Sequence, residues 1–205
     1  MAGTMPHAIF VETGLDGGST VAAYAAELPG CAVFAATDAD AVSAMPRRVA
    51  AFAAWLRSAG EQAPTFIGDN WYEVERGAAR GTAKAPQRVT FSLDELPPSA
   101  MEFGSYLRWL ELAREELASA LDADGAPTKA ITAIVRQDLA SAAQLGAPAP
   151  GSAPSDPIDR LYAARDHLTD ALDAAGPMAD GVRRVVRVAI ADDLRLAKRL
   201  REGPR

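Results

Sequence analysis

The spacing of apolar residues changes abruptly near the middle of the chain, at Leu96-Pro97-Pro98-Ser99. Before this point short apolar segments alternate with polar residues and glycines, a pattern typical of β-strands. After it, apolar residues recur at intervals of three and four, which is typical of amphipathic helices. Consecutive prolines interrupt both kinds of element, because proline lacks an N–H group. The sequence therefore predicts two domains, residues 1–96 and 99–205, and an α+β fold.

The residues before the break predict a small sheet. Residues 8–13 and 20–26 are apolar strand candidates. Asp16-Gly17-Gly18 between them favours a hairpin turn, since glycine accepts a positive φ without steric cost. A third strand candidate, residues 31–35, follows Pro29-Gly30. These three candidates lie close together in the sequence and predict neighbouring strands.

A helix and two further strand candidates complete the first domain. Thr37-Asp38 is a helix-start signal for the pattern that follows. Pro46 lies inside that pattern and predicts a short first piece, followed by a second piece that opens at the proline. Residues 71–75 and 87–91 both alternate and predict a hairpin, with residues 77–85 as the turn or loop between them.

The order of these elements resembles that of the HicB-like domain. The resemblance rests on strand, hairpin and strand, then Glu27-Leu28-Pro29-Gly30-Cys31, a third strand, Thr37-Asp38-Ala39-Asp40-Ala41 and a helix. It implies a sheet packed on one helix and a homodimer formed through this domain, and free apolar sheet edges favour the same self-association. It also permits a HicB-type antitoxin that sequesters a small RNase toxin, with the DNA-binding tail usual in that family replaced here by helices.

Four amphipathic helices are predicted after the break, over residues 100–122, 127–145, 157–174 and 177–201. Proline at or near the first position of three of them favours these starting points, because the N–H group that it lacks has no helical partner there. Four such helices predict a four-helix bundle. The linker, residues 146–155, reaches about 33 Å when extended, so the second and third helices can run parallel.

The second domain resembles the DinB-like bundle. Residues 133–140, AIVRQDLA, are similar to that family's second-helix motif, and residues 184–193, RVVRVAIADD, are similar to its fourth-helix stretch. The family places metal-binding histidines in both stretches. Here Asp138 stands at the second-helix position, and Asp192 and Leu196 align with the fourth-helix positions. The whole chain therefore resembles a HicB-like domain fused to a DinB-like domain, as in a bacterial family.

These departures change the metal chemistry that the resemblance implies. A DinB-like catalytic centre uses neutral imidazoles around a divalent ion with an open position, yet His167 is the one histidine after the break. Asp138, His167 and Asp192 are the remaining candidate metal ligands, and a hard ion held by aspartates needs several converging oxygens. His167 falls off the apolar stripe of its helix, which favours a surface or boundary position. We therefore expect no metal, no cofactor and no catalytic residue.

Each predicted helix carries one charged residue on its apolar face, namely Arg114, Asp138, Arg165 and Asp193. Intervals of three and four between each charge and its apolar neighbours place it on the buried side. At about 1.5 Å of rise per residue, the four residues come within reach of one another. We predict a buried Arg–Asp network, with Asp138 paired to Arg165 or Arg114. The alternative is that these side chains lie at the edges of the apolar faces and extend to water.

Composition limits the partners and the compartment. A net charge of -6 and a pI near 5.0 argue against nucleic acid, since phosphate contacts need a basic surface. No apolar run is long enough for a membrane span and no signal-peptide pattern is visible. The single cysteine, Cys31, excludes an internal disulfide and favours a cytoplasmic location. Without a basic neighbour in sequence, Cys31 is expected to be a buried or edge structural residue.

Three functions remain open. The first, which we favour, is a non-catalytic protein that binds a small molecule or another protein, because no catalytic constellation is visible. The second is a DinB-like metal-dependent thiol transferase or hydrolase with unusual ligands. The third is the HicB-type antitoxin. Bound metal with turnover would support the second and a neighbouring toxin gene the third, since fold alone does not decide between them.

Overall fold

The computed structural model describes residues 7–63, 70–82, 85–124 and 128–203. The chain divides into two compact units, Met1–Glu95, which we call the sheet unit, and Leu96–Arg205, which we call the helical unit. The division falls beside the two prolines at which the spacing of apolar residues changes. The fold is of the α+β class, with a four-stranded sheet in the first unit and long helices in the second.

Four strands form the main sheet, namely β1 (His7–Leu15), β2 (Thr20–Ala25), β3 (Ala32–Ala35) and β4 (Trp71–Ala78). Their order is β3-β2-β1-β4. β1 pairs antiparallel with β2 and parallel with β4, while β2 pairs antiparallel with β3. Between β1 and β2, Asp16–Gly18 form a 3-10 turn in which Gly17 has a φ of 75°.

The hairpin predicted for residues 71–75 and 87–91 is wrong, because β4 lies parallel to β1 instead. β1 is a central strand, and its residues 9–12 are all buried, so neighbouring structure covers both of its faces. A parallel neighbour requires a long crossover connection. The chain between β1 and β4, which includes the helices of the sheet unit, supplies that connection.

A second, two-stranded sheet begins inside residues 77–85, the stretch predicted as a turn or loop, and extends past its end. It consists of β5 (Arg80–Thr82) and β6 (Ala85–Gln87), which pair antiparallel. Residues 83 and 84, which connect them, lie outside the described residues. Residues 88–91 belong to no strand. The strand predicted at 87–91 is therefore wrong except at its first residue, Gln87, which ends β6. The alternation in residues 88–91 comes from side chains that contact the main sheet and not from strand pairing.

Helices α1 (Asp38–Ser43) and α2 (Met45–Ser58) pack against β2 and β3. The predicted division of this helix is confirmed, since Pro46 lies in the first turn of α2, where it needs no N–H partner. Thr37 caps α1 by accepting a hydrogen bond from the Asp40 N–H at 3.2 Å. The buried face of α2 consists of Met45, Val49, Phe52, Ala53 and Leu56.

The long helices of the helical unit are α3 (Ala100–Asp124), α4 (Thr128–Gln144), α5 (Pro157–Ala175) and α6 (Val182–Glu202). The start predicted for the last helix at Pro177 is wrong. Gly176 and Gly181 have positive φ angles of 74° and 77°, so the chain between them turns before the helix begins. The start predicted for the second helix at residue 127 lies outside the described residues. No helix in the described part of the chain is long and apolar enough to cross a membrane.

Side-chain caps set where two of these helices begin. Ser99 and Glu102 form a reciprocal capping box at α3, in which Glu102 Oε2 accepts from the Ser99 N–H at 2.8 Å and Ser99 Oγ accepts from the Glu102 N–H at 3.3 Å. At α5, Asp156 Oδ1 accepts from the N–H groups of Ile158 and Asp159. These caps fix the heights of the residues further along each helix.

Helices α3 and α6 run parallel to each other. Near their N-terminal ends Arg183 of α6 forms an ion pair with Glu102 of α3 at 3.1 Å. Further along both helices, Arg201 pairs with Glu116. Contacts at two matching heights fix the common direction of the two helices.

Helices α4 and α5 run in the opposite direction. Gln144, at the end of α4, accepts a hydrogen bond at 2.7 Å from Arg184, near the start of α6. At the other end of the unit, Ile131 of α4 and Leu161 of α5 share an apolar core with Leu117 of α3 and with residues near the end of α6. α4 and α5 are therefore parallel to each other, and the linker between them returns along the length of the unit.

Candidate functional site

Four charged side chains meet inside the helical unit, namely Arg114 on α3, Asp138 on α4, Arg165 on α5 and Asp193 on α6. We call them the Arg–Asp ring. Their side chains are between 0% and 2% exposed. The structure brings together the four residues that the sequence places on the apolar faces, and it places them in the interior and not at the edges of those faces.

Each arginine of the ring binds both aspartates. Arg114 donates from Nη2 to Asp138 Oδ2 at 2.6 Å and from Nε to Asp193 Oδ2 at 3.0 Å. Arg165 donates from Nε to Asp138 Oδ2 at 3.2 Å and from Nη2 to Asp193 Oδ2 at 3.0 Å. The two Oδ1 atoms also accept, each at 3.3 Å, from the Nη2 of an arginine. All four carboxylate oxygens are thus engaged by guanidinium groups.

The ring is also tied to the helix backbone. Arg114 Nη1 donates to the carbonyl of Leu161, one turn before Arg165. Arg165 Nη1 donates at 2.8 Å to the carbonyl of Leu110, one turn before Arg114. Each guanidinium therefore uses all three of its nitrogen atoms, and the pair of bonds holds α3 against α5 in antiparallel orientation.

Burial and charge act against each other within the ring. Burial acts to lower the pKa of Arg165, but the carboxylates of Asp138 and Asp193 together outweigh it, and the pKa is raised. Burial raises the pKa of Asp193, and Arg165 and Arg114 oppose that rise only in part. The charge on Asp193 therefore depends on both arginines, and the loss of either leaves the cost of burial less opposed.

The ring does not fit the divalent ion that a DinB-like centre implies. A cation at this place would face two guanidinium groups, and the oxygens of Asp138 and Asp193 already accept hydrogen bonds from those groups. Two positive and two negative charges leave no net negative charge to attract a metal. A hard divalent ion needs several free oxygens that converge on it.

The other candidate ligands do not join Asp138. His167 and Asp192 are half-buried residues beside the ring members Arg165 and Asp193 in sequence. A shift of one or two positions along a helix turns a side chain away from its neighbour's direction. Across the described ranges, no group of three or more His, Cys, Asp or Glu side chains is gathered in a way that could hold a metal ion.

A second buried charge cluster lies in the sheet unit, around Glu12 of β1, which is 0% exposed. Tyr24 of β2 donates its hydroxyl to Glu12 Oε2 at 2.9 Å. Arg88 pairs with the same carboxylate at 3.0 Å, with a side chain only 6% exposed. The Val89 N–H donates to Glu12 Oε1 at 2.7 Å. The buried carboxylate is thus paired with a charge and bound to backbone, as a buried charge must be.

This cluster fixes residues 88–91, which we call the strap, on one face of the sheet. Phe91 is fully buried and stacks on Phe10 of β1 with ring centroids 4.7 Å apart. Val89 lies against Gly77 of β4, where a Cβ atom would come within 2.4 Å of a Val89 methyl carbon. The opposite face carries Arg76 of β4, in register with Val11, and Arg76 pairs with Asp38 of α1 at 2.9 Å. The sheet is therefore covered by helices on one face and by the strap on the other.

Sequence reasoning missed the Glu12 cluster. The available signal was Glu12 itself, a carboxylate that follows the apolar residues 9–11 directly within a predicted strand. A buried charge in such a strand requires a partner of opposite charge. Arg88 could not be identified as that partner, because the strap is held by side-chain contacts and belongs to no strand.

Cys31 is buried at the end of the turn that precedes β3. Burial raises the pKa of its thiol to about 12, and the charge of Arg48 opposes this rise with a smaller effect. The expectation of a buried structural cysteine is confirmed. A thiol with such a pKa carries almost no thiolate at neutral pH, so it is a poor nucleophile.

Comparison of this chain with protein-family models, with curated proteins and with solved structures finds no match.

Proposed function

We propose that this protein is a non-catalytic binding protein built from a HicB-like sheet domain and a DinB-like four-helix bundle, and that it binds a small molecule or another protein. The α+β architecture, with a sheet and helices followed by four long helices, supports this combination. The proposal also includes a cytoplasmic setting and excludes nucleic acid and membranes as main partners, in keeping with the net charge of -6.

The Arg–Asp ring is the observation that carries the proposal. Asp138, which aligns with a metal-binding histidine of the DinB-like family, is 1% exposed and is bound by Arg114 and Arg165. A metal-dependent transferase or hydrolase needs an ion with an open coordination position for water or thiol. The Arg–Asp ring has no net charge and its carboxylates are fully hydrogen-bonded. It therefore supports a structural role that joins the helices and does not support a metal-dependent reaction.

Metal analysis together with a ligand screen tests the proposal. The protein is purified without an affinity tag, and Zn, Ni, Fe and Mn are measured per chain before and after incubation with a chelator. We expect far less than one equivalent of each metal and an unchanged melting temperature after chelation. A thermal-shift screen of small molecules on the same preparation is expected to give stabilising ligands without turnover. One equivalent of a metal, lost together with stability, would overturn the proposal in favour of the enzyme.

A homodimer formed through the sheet unit belongs to the same proposal. β3 and β4 are the edge strands of the sheet, and β4 carries the exposed apolar side chains Tyr72 and Val74, which are 45% and 44% exposed. Exposed apolar edges favour pairing with another chain. Light scattering of the wild type and of Val74→Lys should show a dimer that the substitution dissociates. Met178→Lys, which adds the same charge at an exposed apolar position of the helical unit, is the matched control and should leave the dimer intact.

A further inference from the structure

The first and third helices of the helical unit share a sequence pattern. Residues 110–123 of α3 read LELAREELASALDA, and residues 161–174 of α5 read LYAARDHLTDALDA. The shared pattern is L-x-x-A-R-x-x-L-x-x-A-L-D-A, and it contains Arg114 in one copy and Arg165 in the other. The identical leucines, alanines and arginines up to Leu121 and Leu172 are buried in both helices.

The second and fourth helices share another pattern. Residues 138–145 read DLASAAQL and residues 193–200 read DLRLAKRL, which gives D-L-x-x-A-x-x-L in both. The aspartate of each copy belongs to the Arg–Asp ring. Ala142 and Ala197, the shared alanines, are 0% and 1% exposed. The helical unit therefore consists of two copies of one helix pair, with α3 and α4 as the first pair and α5 and α6 as the second.

The contacts of the ring have the same two-fold relation. Arg114 reaches the carbonyl one turn before Arg165, and Arg165 reaches the carbonyl one turn before Arg114. Each arginine binds the aspartate of its own pair and the aspartate of the other pair. Exchange of the two helix pairs leaves this set of partners unchanged. Such mutual contacts are those of an isologous interface, as found between identical subunits.

Most of the helix packing also occurs between the pairs. Among the described residues, α3 packs chiefly on α6 and α4 packs chiefly on α5. The linker that joins the pairs spans the unit lengthwise, since α4 and α5 are parallel. α4 has 17 residues and is about 26 Å long, whereas residues 146–155 reach about 33 Å. The linker is thus long enough to let the two pairs of one chain meet, with little length to spare.

We propose that the two helix pairs are separable, equivalent partners and that the face carrying the ring is a self-recognition surface, which fits the helix pair of a second copy of this chain as well as its own. The same leucines, alanines and ring charges then form the same contacts between chains that they form within one chain. Linker length decides between the two arrangements, because a shorter linker cannot span one unit but can join two units that lie side by side in antiparallel orientation, where the end of α4 in one unit lies near the start of α5 in the other. This inference does not depend on the proposed function.

Two full-length chains with a shortened linker test the exchange. Deletion of residues 148–153 leaves four of the ten linker residues, which reach about 13 Å and cannot span the length of α4. Both chains carry Cys31→Ala; one carries Glu116→Cys and the other Arg201→Cys, at positions that form an ion pair in the wild type. The chains are refolded together and treated with a short bismaleimide.

We expect a covalent heterodimer from the shortened pair and none from the same pair with the full linker. A folded shortened chain without the inter-chain product would overturn the proposal, as would equal product from both linkers.

A cut chain covers the case in which the shortened variant does not fold. A protease site replaces residues 148–153 in the full-length protein, and the linker is cut after folding. We expect the two pieces to elute together, to dissociate in denaturant and to recover the original helical signal when the denaturant is removed. Pieces that separate in native buffer, or that do not recombine, would show that the helix pairs are not separable partners.

Discussion

Arg114 and Arg165 lie on different helices, and each donates a hydrogen bond to the backbone carbonyl one turn before the other. The two bonds fix the height of α3 against α5 independently of the aspartates. The guanidinium groups are consequently held in place even when an aspartate is removed. Removal of one aspartate therefore leaves two fixed guanidinium groups to share one carboxylate, so that one positive charge in the interior is not balanced.

Asp138→Ala is expected to lower the free energy of unfolding of the helical unit by about 3–5 kcal/mol, because it breaks a buried ion pair and leaves its partners in place. The double replacement Asp138→Leu and Arg165→Met removes one charge of each sign and leaves the pair of Arg114 and Asp193 balanced. This double variant should lose clearly less stability than the single one. Urea unfolding followed by far-ultraviolet circular dichroism measures both. Equal small losses would mean that the charges are solvated and that the ring does not affect the free energy of unfolding.

Glu12→Gln is expected to weaken the attachment of the strap. Glutamine keeps the size of the side chain but removes the carboxylate charge that pairs with the buried guanidinium of Arg88, at a cost of about 3 kcal/mol. Amide hydrogen exchange at Val89, whose N–H donates to Glu12, should become faster. Glu75→Gln is the matched control, because the Glu75 carboxylate accepts from Ser92 just after the strap but at an exposed site. If the Val89 amide exchanges at the same rate in both variants, Glu12 does not hold the strap.

Gly77→Ala is expected to displace the strap by steric contact. The new Cβ would lie 2.4 Å and 2.9 Å from the two γ carbons of Val89, and overpacking of this kind costs about 1–3 kcal/mol. Val89→Ala removes both of those carbons, so adding Gly77→Ala to it should cost much less. Thermal unfolding of the four proteins of this double-mutant cycle gives the coupling. Additive losses would contradict the close approach of Val89 to β4.

The Cys31 thiol is expected to make stability depend on alkaline pH. Its pKa is about 12 in the folded chain against 9.0 for an unperturbed thiol, so the folded state retains its proton where the unfolded state loses it. The contribution is complete below pH 9 and is lost progressively between pH 9 and pH 12. The difference in the free energy of unfolding between the wild type and Cys31→Ala, measured from pH 8 to pH 11, should fall as the pH rises. A constant difference would show that the thiol titrates normally when folded.

Much of the helical unit follows from its sequence because its signals are local. Apolar residues at helical intervals predict the four helices, and the Ser99 and Asp156 caps lie where polar residues precede them. Four charges at matching heights on apolar faces predict an encounter between them, and the structure places the four side chains in contact. The repeated pattern of α3 and α5 was also present in the sequence. It escapes a search for periodicity because the two copies are separated by a whole helix and a linker.

The sheet unit was less predictable because its decisive contacts join distant residues. The parallel pairing of β1 with β4 connects His7 with Trp71, and nothing in either strand specifies the other. The strap is held by the carboxylate of Glu12 and by the burial of Phe91. A search for alternating residues interprets the strap as a strand. Burial of Glu12 depends on residues far later in the chain, so its local sequence gives no partner.

The late position of the strap has a consequence for synthesis of the chain. At about 5–20 residues per second, β1 and β2 leave the ribosome several seconds before β4 and the strap exist. During this interval Phe10 and Tyr24 lack their cover, and the carboxylate of Glu12 has neither Arg88 nor the Val89 N–H. The nascent sheet of β1, β2 and β3 therefore carries one exposed aromatic face and an open edge at β1, where β4 later pairs. The sheet unit can therefore close only after residue 91 has emerged, and until then these early strands depend on the growing chain to supply their cover.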